Sequence, residues 1–397
     1  MHPETGKNPD NRMRRDELGF IGRVSVVSIS RMFGLFMVLP VIALWADDFA
    51  DASPLLVGIA VGGYGVTQAL LQIPYGAVSD RFGRVPVVVF GLAVFLLGSV
   101  IAATADSIYG VIVGRLLQGA GAVSATLSAW IADRTREQVR TTAMAIFGAA
   151  IGASFLLALV LGPLLSAWLG VRGLFWFSAG LGALGIVLTL TDGGGAAAKP
   201  VVTQREWRWD VLLKADLVRL DLAVLLLHAA LTAFFVLAPY LLIDRLALPA
   251  NEHWKVYTLT LTAALPLVIP MIMRDGRTRS AALLLPAIAL LVVGFAMIWG
   301  SGASLWLFGL GCTLFFAGFS YLEAALPAEM SRRANPAQRG ACLGVFSSAQ
   351  FFGAFVGGTL GGWFVGGWGA EAGMLALTGL LMFWLVASSV NSWRQAV

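Results

Sequence analysis

The stretch YGAVSDRFGRVPV, residues 75–87, places a charged turn inside a strongly apolar chain. Its charged residues are Asp80, Arg81 and Arg84, and the glycines on either side of the first pair are Gly76 and Gly83. Glycine permits both a tight reversal of the backbone and a close approach between two helices. Because long apolar runs flank the stretch on both sides, the pattern predicts a short turn between two apolar helices.

The composition of the whole chain indicates a membrane protein. Of its 397 residues, 58% are hydrophobic and 12% are charged, and the mean hydropathy is +0.82. A soluble globular protein carries roughly 25% charged residues, so half that share cannot cover a chain of this length with a wetted surface. The apolar runs are continuous rather than alternating, which predicts transmembrane helices rather than a transmembrane β-barrel.

The apolar runs predict an all-α membrane protein with twelve transmembrane helices, each of about 20 residues or more. The predicted spans are residues 19–45, 54–78, 86–105, 107–131, 141–169, 172–191, 219–243, 254–273, 280–300, 303–328, 340–366 and 369–391. They divide the chain into a cytoplasmic N-terminal segment (1–18), an N-terminal six-helix bundle (19–191), a cytoplasmic linker (192–218), a C-terminal six-helix bundle (219–391) and a cytoplasmic tail (392–397). The linker mixes apolar and charged residues, which is typical either of a helix lying on the membrane surface or of a plain hinge.

Basic residues are concentrated on one predicted side of the membrane. If the N-terminus is cytoplasmic, the outer loops contain only Arg172, Arg245 and Lys255. The other loop arginines and lysines then lie in cytoplasmic segments, as the positive-inside rule requires, so both termini are predicted to be cytoplasmic. The basic residues are dispersed over several loops rather than gathered in one patch, so nucleic acid is not an expected partner.

The sequence repeats itself at an offset of 199 residues. At this offset FMVLP (36–40) falls on FVLAP (235–239), and RTTAMAIF (140–147) falls on RGACLGVF (339–346). The same offset therefore aligns the first predicted span of one half with the first of the other, and the fifth with the fifth. Both halves begin on the same side of the membrane, which predicts two parallel six-helix bundles related by an axis along the membrane normal.

The turn at 76–84 has the form G-x-x-x-D-R-x-G-R and lies between the second and third predicted spans. In this it resembles the signature loop of the major facilitator superfamily. The stretches GIAVGGYGVTQALLQIPYGAVSDRFGR, GRLLQGAGAV, IADRTREQVRTTAMA and EHWKVY are similar to the YajR-type branch of that family, among its proton-coupled drug-efflux transporters. Some relatives carry an extra soluble domain after the last span, which this chain, ending six residues after Asn391, is expected to lack.

The resemblance implies two six-helix bundles around a central cavity and transport by alternating access. It implies a location in the bacterial cytoplasmic (inner) membrane and a proton gradient as the energy source, with no cofactor. The expected partners are a small-molecule substrate, protons and membrane lipids, and the expected state is a monomer.

The resemblance also implies that the charged turn is a conformational latch. Asp80 would accept hydrogen bonds from the N–H groups that open the eleventh span, near residues 339–343. Arg84 would pair with Asp133 at the inner end of the fourth span. The predicted latch comprises Gly76, Asp80, Arg81, Gly83, Arg84 and Asp133. The alternative is a turn whose arginines only hold the loop on the cytoplasmic side.

Charged residues inside the spans are the candidates for proton coupling. Arg31 and Arg115 lie mid-span, where an unpaired charge is unfavourable, so each should face the cavity or a partner. Arg115 stands in GRLLQGAGA, which resembles a family motif associated with proton coupling. Glu323 is the one acid placed well inside a span, either as a reversible proton carrier or as half of a static pair with an arginine. His228 is the other titratable candidate, although a lone histidine on an apolar helix is more often structural.

Polar residues of the second, tenth and eleventh predicted spans are candidates for the wall of the substrate cavity: Tyr64, Gln68, Gln72, Tyr321 and Gln350. Small residues and a proline are candidates for close helix packing: Gly162, Pro163, Gly357 and Gly361. The stretch around Gly162 resembles the family's antiporter motif, but Ser166 and Ala167 replace its trailing glycines. That departure leaves antiport and symport both open.

Other classes of function lack support in the sequence. The chain has no G-x-x-x-x-G-K-S/T stretch for an ATP-driven pump, and its 3 histidines are too scattered for a metal site or a metalloenzyme. We therefore expect a transporter rather than an enzyme, exporting drug-like or amphiphilic compounds by proton coupling. The alternatives are a proton-coupled transporter, importing or exporting an anionic metabolite or sugar, and a non-transporting membrane sensor or scaffold.

Overall fold

The protein is described by a computed structural model over residues 13–46, 49–191, 212–278, 281–335 and 338–396, and every regular element in these ranges is helical. The helices are α1 (Arg15–Phe36), α2 (Leu39–Ala46), α3 (Pro54–Phe82), α4 (Arg84–Thr104), α5 (Ile108–Ala120), α6 (Ser124–Arg134), α7 (Glu137–Leu190), α8 (Ala215–Asp244), α9 (His253–Thr278), α10 (Leu284–Trp299), α11 (Leu305–Arg333) and α12 (Arg339–Ala396). Short 3-10 turns, Ala250–Glu252 and Ala281–Leu283, precede α9 and α10. Most of the predicted linker (192–211) and residues 1–12 lie outside the described residues, so the surface helix stays a prediction.

The helical segments are long and apolar enough for a membrane. Nine segments in the described ranges could cross one, with α1 and α2 counted as one segment and α5 and α6 as another, and α10 is a shorter apolar helix. To reach twelve spans, α7 and α12 would each have to supply two. The predicted all-α membrane architecture is confirmed, and the count of twelve stays a prediction.

Glycines interrupt the two longest helices at equivalent places. Gly170 in α7 has φ +65° and ψ 171°, and Gly369 in α12 has φ +84° and ψ 164°, while both helices continue on either side. The two glycines are 199 residues apart, and so are Pro54 and His253, the first residues of α3 and α9. The backbone therefore repeats at the offset that the sequence predicts.

Two predicted spans are broken. The first, residues 19–45, divides into α1 and α2 because Pro40, in the first turn of α2, has no N–H to continue the hydrogen bonding of α1. The fourth, residues 107–131, divides into α5 and α6 at Gly121, whose backbone lies too close to that of Gly91 for a side chain to fit between them. Both breaks leave backbone carbonyl groups inside the bundle without helical partners.

The helices begin and end beyond the predicted bundles. α1 starts at Arg15 and α8 at Ala215, before the predicted starts at 19 and 219, and α12 continues to Ala396 through the predicted tail. The prediction marked only the apolar part of each helix, and a helix can extend past the hydrocarbon core into the polar interface. The helices therefore extend past the predicted limits of the N-terminal segment, the linker and the tail, and those limits, drawn for the membrane-spanning parts, stay predictions.

The two halves, residues 13–191 and 212–396, meet chiefly through α3 and α12. A Cβ atom added to Gly62 in α3 would lie 2.6 Å from the carbonyl oxygen of Ala354 in α12. Gly58 and Gly358 face each other in the same way one turn further along. Small residues let the two backbones approach this closely.

The ends of the bundle differ in how the halves are joined. We call the end with Asp80 and Asp133 the inner end, and the end with Ser53 and Arg245 the outer end, following the predicted orientation. The larger hydrophobic cluster unites both halves and includes Met37, Val38, Leu39, Val57, Val61, Val236, Leu237 and Phe351. At the inner end the first half has a cluster of its own, which contains no described residue of the second half: Phe20, Ile21, Val24, Val27, Val88, Leu92, Val123, Leu127, Trp130, Ile131, Ala143 and Phe147.

Candidate functional site

The charged turn of residues 75–87 joins α3 and α4 through a single residue. Gly83 ends α3 by donating its N–H to the carbonyl of Ser79 at 3.1 Å, and α4 begins at the next residue. Its φ of +92° is a left-handed conformation that residues with a Cβ rarely adopt, so glycine is required there. The second span thus runs to Phe82 rather than to 78. The charged residues are therefore held at helix ends instead of in a flexible loop.

Arg84 connects three elements at the inner end. Its Nε donates to the Asp133 carboxylate at 2.8 Å, near the end of α6. One terminal nitrogen lies 2.5 Å from the Asp80 carboxylate and donates to Ser79 Oγ at 2.6 Å. The Ser79 hydroxyl in turn donates to the carbonyl of Gly76 at 2.7 Å. The structure therefore brings together all the predicted latch residues of the first half except Arg81, which lies over the neighbouring Phe82 ring.

The predicted contact between Asp80 and the start of the eleventh span is not made in the described part of the chain. Asp80 pairs with Arg84, its side chain is 41% exposed, and no hydrogen bond joins it to residues 339–343. Asp80 is instead held within its own half by the Arg84 guanidinium. The hydroxyl of Ser348 on α12 reaches the carbonyl of Ala69 on α3 at 2.9 Å, and a Cβ added to Gly344, one turn closer to the inner end, would lie 3.9 Å from the Ile73 side chain.

Three polar side chains of the second half form a cluster close to the interface. Glu323 on α11 accepts a hydrogen bond from Gln350 Nε2 on α12 at 3.0 Å, and its other oxygen lies 3.3 Å from His228 Nε2 on α8. Gln350 Nε2 also lies 2.9 Å from the same histidine nitrogen. His228 Nδ1 is 3.1 Å from the carbonyl of Val224, one turn back on its own helix. His228 is buried and Glu323 is a quarter exposed, so the carboxylate is the accessible member.

Glu323 forms no pair with an arginine in the described part of the chain, so the structure lends no support to the static pair, one of the two alternatives for this residue. Arg115 is fully buried and bonds to neutral acceptors, donating to Gln118 at 2.8 Å and lying over the Tyr64 ring at 4.6 Å. It also donates to the backbone carbonyls of Leu35, Ala60 and Val61, each at 3.2 Å. The Leu35 carbonyl lies beside the break between α1 and α2, which explains why an acceptor is available there.

Arg31 likewise bonds within the first half, although its Nε atom has no partner in the described part of the chain. It donates to Gln68 Oε1 at 2.8 Å and lies 5.9 Å from the centre of the Phe95 ring. Neither arginine bonds to Glu323 in the described part of the chain, because each finds neutral oxygen acceptors nearer to it. Their roles in proton coupling stay predictions.

The predicted cavity residues are mostly enclosed between helices. Tyr64, Gln68, Gln72 and Tyr321 are all buried, and only Gln350 among the five is partly exposed. Tyr64 packs edge-on against Phe351 of the other half, with ring centres 6.5 Å apart. These residues therefore lie at the contact between helices rather than on an open wall.

The predicted packing residues lie where helices approach most closely. A Cβ on Gly162 of α7 would collide with the carbonyl of Met37, and Pro163 follows it inside the same helix. A Cβ on Gly357 of α12 would collide with the carbonyl of Ala229 on α8. Gly361 lies over the same helix, and a Cβ there would be 3.1 Å from Val236 Cβ.

Sequence reasoning missed one acid. Asp221 lies in the second turn of α8, is half-buried, and its Oδ1 atom has no hydrogen-bond partner in the described part of the chain. The signal was present, because the residue falls just inside the seventh predicted span. It was passed over because it lies near the end of that span, where solvent is expected.

A fold of two repeated helical halves, with a charged turn between its second and third spans and charged side chains held between helices, defines a secondary transporter rather than an enzyme. The Major Facilitator Superfamily profile matches residues 24–334, and the chain belongs to this family. It is 41% identical to the inner membrane transport protein YajR of Escherichia coli (strain K12) over 366 residues, which cover 90% of this chain and 80% of that protein. The predicted family and branch are thereby confirmed.

Two further similarities extend the comparison. The chain is 27% identical to the multidrug resistance protein MdtL of Escherichia fergusonii over 352 residues, covering 86% of this chain and 88% of that protein. The crystal structure of the human organic anion transporter MFSD10 (TETRAN) matches with a TM-score of 0.70, covering 94% of this chain and 99% of that chain at 20% sequence identity. The last similarity shows the fold alone.

Proposed function

We propose that the protein is a proton-coupled efflux transporter of drug-like or amphiphilic compounds. Its similarity to YajR and to the multidrug resistance protein MdtL supports export of such compounds. YajR is an inner membrane transport protein, which supports an inner-membrane location, and the distribution of basic residues supports cytoplasmic termini. Both halves come from one chain, which supports a monomer as the transporting unit. The observation that carries the proposal is the contact of Glu323 with His228 and Gln350.

The hydrogen-bond pattern of this cluster leaves room for one more proton. Because His228 Nδ1 faces the carbonyl of Val224, it carries the hydrogen, and Nε2 is then an acceptor in neutral histidine. Gln350 Nε2 can give one hydrogen to Glu323 and the other to His228. A proton added between Glu323 and His228 would bridge their 3.3 Å separation and displace the Gln350 amide. Protonation of the cluster would therefore move a side chain of α12.

A movement of α12 or of His228 has a direct route to the first half. The His228 ring packs on Phe319 with centres 5.6 Å apart, and Phe319 packs on Phe155 of the first half at the same distance. Gln350 is followed by Phe351, whose backbone lies against Gly65 of α3. Packed side chains and backbones cannot deform continuously, so a proton that shifts either contact biases the relative position of the halves.

The charged turn is proposed to act as the latch of the opposite state. In the described state the halves are joined at the outer end, and Asp80 is bonded only within its own half. When the inner end closes, the N-terminus of α12 approaches Asp80, and its free N–H groups attract the carboxylate. Arg84 then holds Asp80 in position through its contacts with Asp133 and Ser79.

A second candidate function is proton-coupled transport of an anionic metabolite or sugar. Two buried donors of the first half, Arg31 Nε and Gln68 Nε2, have no hydrogen-bond partner in the described part of the chain. Both atoms can only donate, so a substrate rich in acceptor oxygens would satisfy them. A thermal-shift screen of drugs, sugars and organic anions against the purified protein separates the two candidates, because only the transported class should stabilise it.

The test of proton coupling replaces Glu323 by glutamine, which keeps the shape and the hydrogen bonds but cannot ionise. We expect Glu323→Gln to bind ethidium as the wild type does and to lose the response of ethidium flux to a pH gradient across liposomes. Glu137→Gln, which removes an exposed carboxylate at the start of α7, is the matched control and should keep the response. Gradient-dependent flux in Glu323→Gln would refute the role of Glu323 and direct attention to Asp221.

A further inference from the structure

A cavity of ≈ 420 Å³ lies at the outer end, between the two halves. The first half contributes Val41 of α2 together with Pro163 and Ser166 of α7, and the second half contributes residues from the first turn of α9. Its volume falls in the range of about 300–1,000 Å³ that small-molecule sites occupy. The cavity is separate from the cluster around Glu323, with which it shares no lining residue.

Two side chains in its wall, His253 and Tyr257, have unmet hydrogen-bonding capacity. Both are only 2% exposed, and His253 Nδ1 and the Tyr257 hydroxyl have no partner in the part of the chain that the structure describes. His253 Nε2 lies 3.1 Å from the carbonyl of Leu248, so Nε2 carries the hydrogen and Nδ1 is left as an acceptor. Buried polar groups are nearly always paired, so two unpaired groups in one cavity wall indicate that something else pairs them.

The rest of the wall defines the chemistry of the occupant. The wall mixes apolar side chains with polar ones such as Ser166 and Asn251, and none of the described residues that line it is an aspartate, glutamate, lysine or arginine. An ion would therefore enter without a countercharge from the described residues, which is costly in a partly enclosed site. A neutral molecule with an apolar body and one hydroxyl or N–H group fits, because it can donate to His253 Nδ1 or bond to the Tyr257 hydroxyl.

We propose that this cavity binds a small neutral amphiphile that carries a hydrogen-bond donor, and that the bound molecule holds the outer end closed. The second part follows from the position of the wall. Because α2 and α7 belong to one half and α9 to the other, the cavity exists only while the outer ends of the halves are together. A ligand that binds only one state shifts the population toward it. The proposal depends on neither the substrate nor proton coupling.

The binding test uses 2-naphthol as the probe and 2-methoxynaphthalene, which has the same ring system but no donor, as its control. Both are titrated against the full chain in nanodiscs, and the signal is the tryptophan quenching that disappears in Trp254→Phe. We expect saturable quenching by 2-naphthol and at least tenfold weaker binding of the control. Tyr257→Phe should weaken 2-naphthol by about five- to tenfold, as expected for one lost hydrogen bond, and the exposed Tyr109→Phe should not.

A second variant keeps the test sharp if Tyr257→Phe does not fold. Ser166→Phe fills the cavity from the first half and leaves His253 and Tyr257 in place, so it should abolish saturable quenching. Equal binding of the two probes, or unchanged binding in both variants, would overturn the proposal. Ordered water would then be the occupant of the cavity. The proposal would also be overturned if the purified protein released phospholipid in a stoichiometric amount and bound 2-naphthol only after this lipid was removed. The occupant of the cavity would then be a lipid.

The closing effect is measured separately from binding. Spin labels at Ala50→Cys and Ala303→Cys, exposed residues at the outer ends of the two halves, report the distance between them. We expect 2-naphthol to increase the short-distance population in the otherwise unchanged protein and to have no effect in Ser166→Phe. A shift toward long distances, or the same shift in Ser166→Phe, would refute the closing effect.

Discussion

Replacing Gly62 by alanine should open the outer end of the transporter without unfolding it. The added Cβ would lie 2.6 Å from the carbonyl oxygen of Ala354 and 3.0 Å from the Cα of Phe355, where ordinary contact begins at 3.4 Å. Both neighbours are backbone atoms of the other half, so no side chain can turn away to relieve the overlap. The clash exists only while α3 and α12 are together, and it disappears when the halves separate.

The size of the effect follows from this overlap. Overpacking by one methyl group against atoms that cannot move aside costs about 1–3 kcal/mol. Because the cost falls on the closed state alone, the ratio of closed to open molecules should fall by about 5–150-fold. Gly63→Ala is the matched control, because a Cβ at the next position of the same helix meets its nearest neighbour, the side chain of Leu116, at an ordinary 3.8 Å.

The distance between spin labels at Ala50→Cys and Ala303→Cys measures this ratio directly. The native cysteines, Cys312 and Cys342, are buried and free, so background labelling is low. Gly62→Ala should gain a long-distance population that Gly63→Ala and the parent protein lack, with similar yield and thermal stability of all three. Identical distance distributions for the two alanine variants would refute the assignment of the α3–α12 crossing as a closed gate.

Three other changes test the charged groups of the inner end. Asp80→Asn should impair transport and raise the reactivity of cysteines introduced at the inner end, while membrane insertion is unchanged, because the substitution removes a contact that forms in one state only. Transport and cysteine reactivity at wild-type levels would refute the latch. Charge removal at Arg84 and Asp133, 2.8 Å apart and partly exposed, should show a coupling of about 0.5–1 kcal/mol in a double-mutant cycle of transport rates, which strict additivity would contradict. Glu17→Gln should lower the free energy of unfolding by about 1.5–3 kcal/mol, because buried Glu17 accepts from Arg136 at 3.0 Å; an unchanged melting temperature would show that the pair is dispensable.

The charged turn was the most predictable part of the site. Its geometry depends on neighbouring residues, and glycine at 83 is needed for the φ of +92° that ends one helix and starts the next. The contact between Arg84 and Asp133, by contrast, joins residues on different helices and was expected only through the family resemblance. Local backbone chemistry predicts the turn, whereas the partner across it requires knowledge of the fold.

The partners of Glu323 were not predictable in the same way. The sequence indicates how deep a residue lies in a span, and at comparable depth the arginines were the obvious partners. Which side chains meet depends instead on how each helix is rotated about its axis, and that rotation turns Glu323 toward His228 and Gln350 of its own half. Arg31 and Arg115 instead donate to neutral amide and carbonyl acceptors of the first half, and Arg31 Nε is left without a partner among the described residues.

The cavity at the outer end was invisible to sequence reasoning for a related reason. EHWKVY, which contains His253 and Tyr257, contributed to the family resemblance but carried no sign of unpaired atoms. Whether a buried polar atom has a partner depends on residues far away in the chain, here those of α2 and α7. Pro40 is a visible signal in the sequence for the break between α1 and α2, but the apolar run continues through it and predicts one unbroken span.

The interruptions at Gly170 and Gly369 bear on how the gene has been free to diverge. A side chain at either position would be strained by about 1–2 kcal/mol, so both halves require glycine at the equivalent place. Two positions further along, Arg172 and Glu371 occupy equivalent places in the two halves and now carry opposite charges. The repeat of the two halves is thus kept in the backbone torsion angle at a place where the nearby side chains differ in charge. Paired glycines at a fixed separation can therefore mark the descent of both halves from one ancestor in relatives whose other residues no longer align.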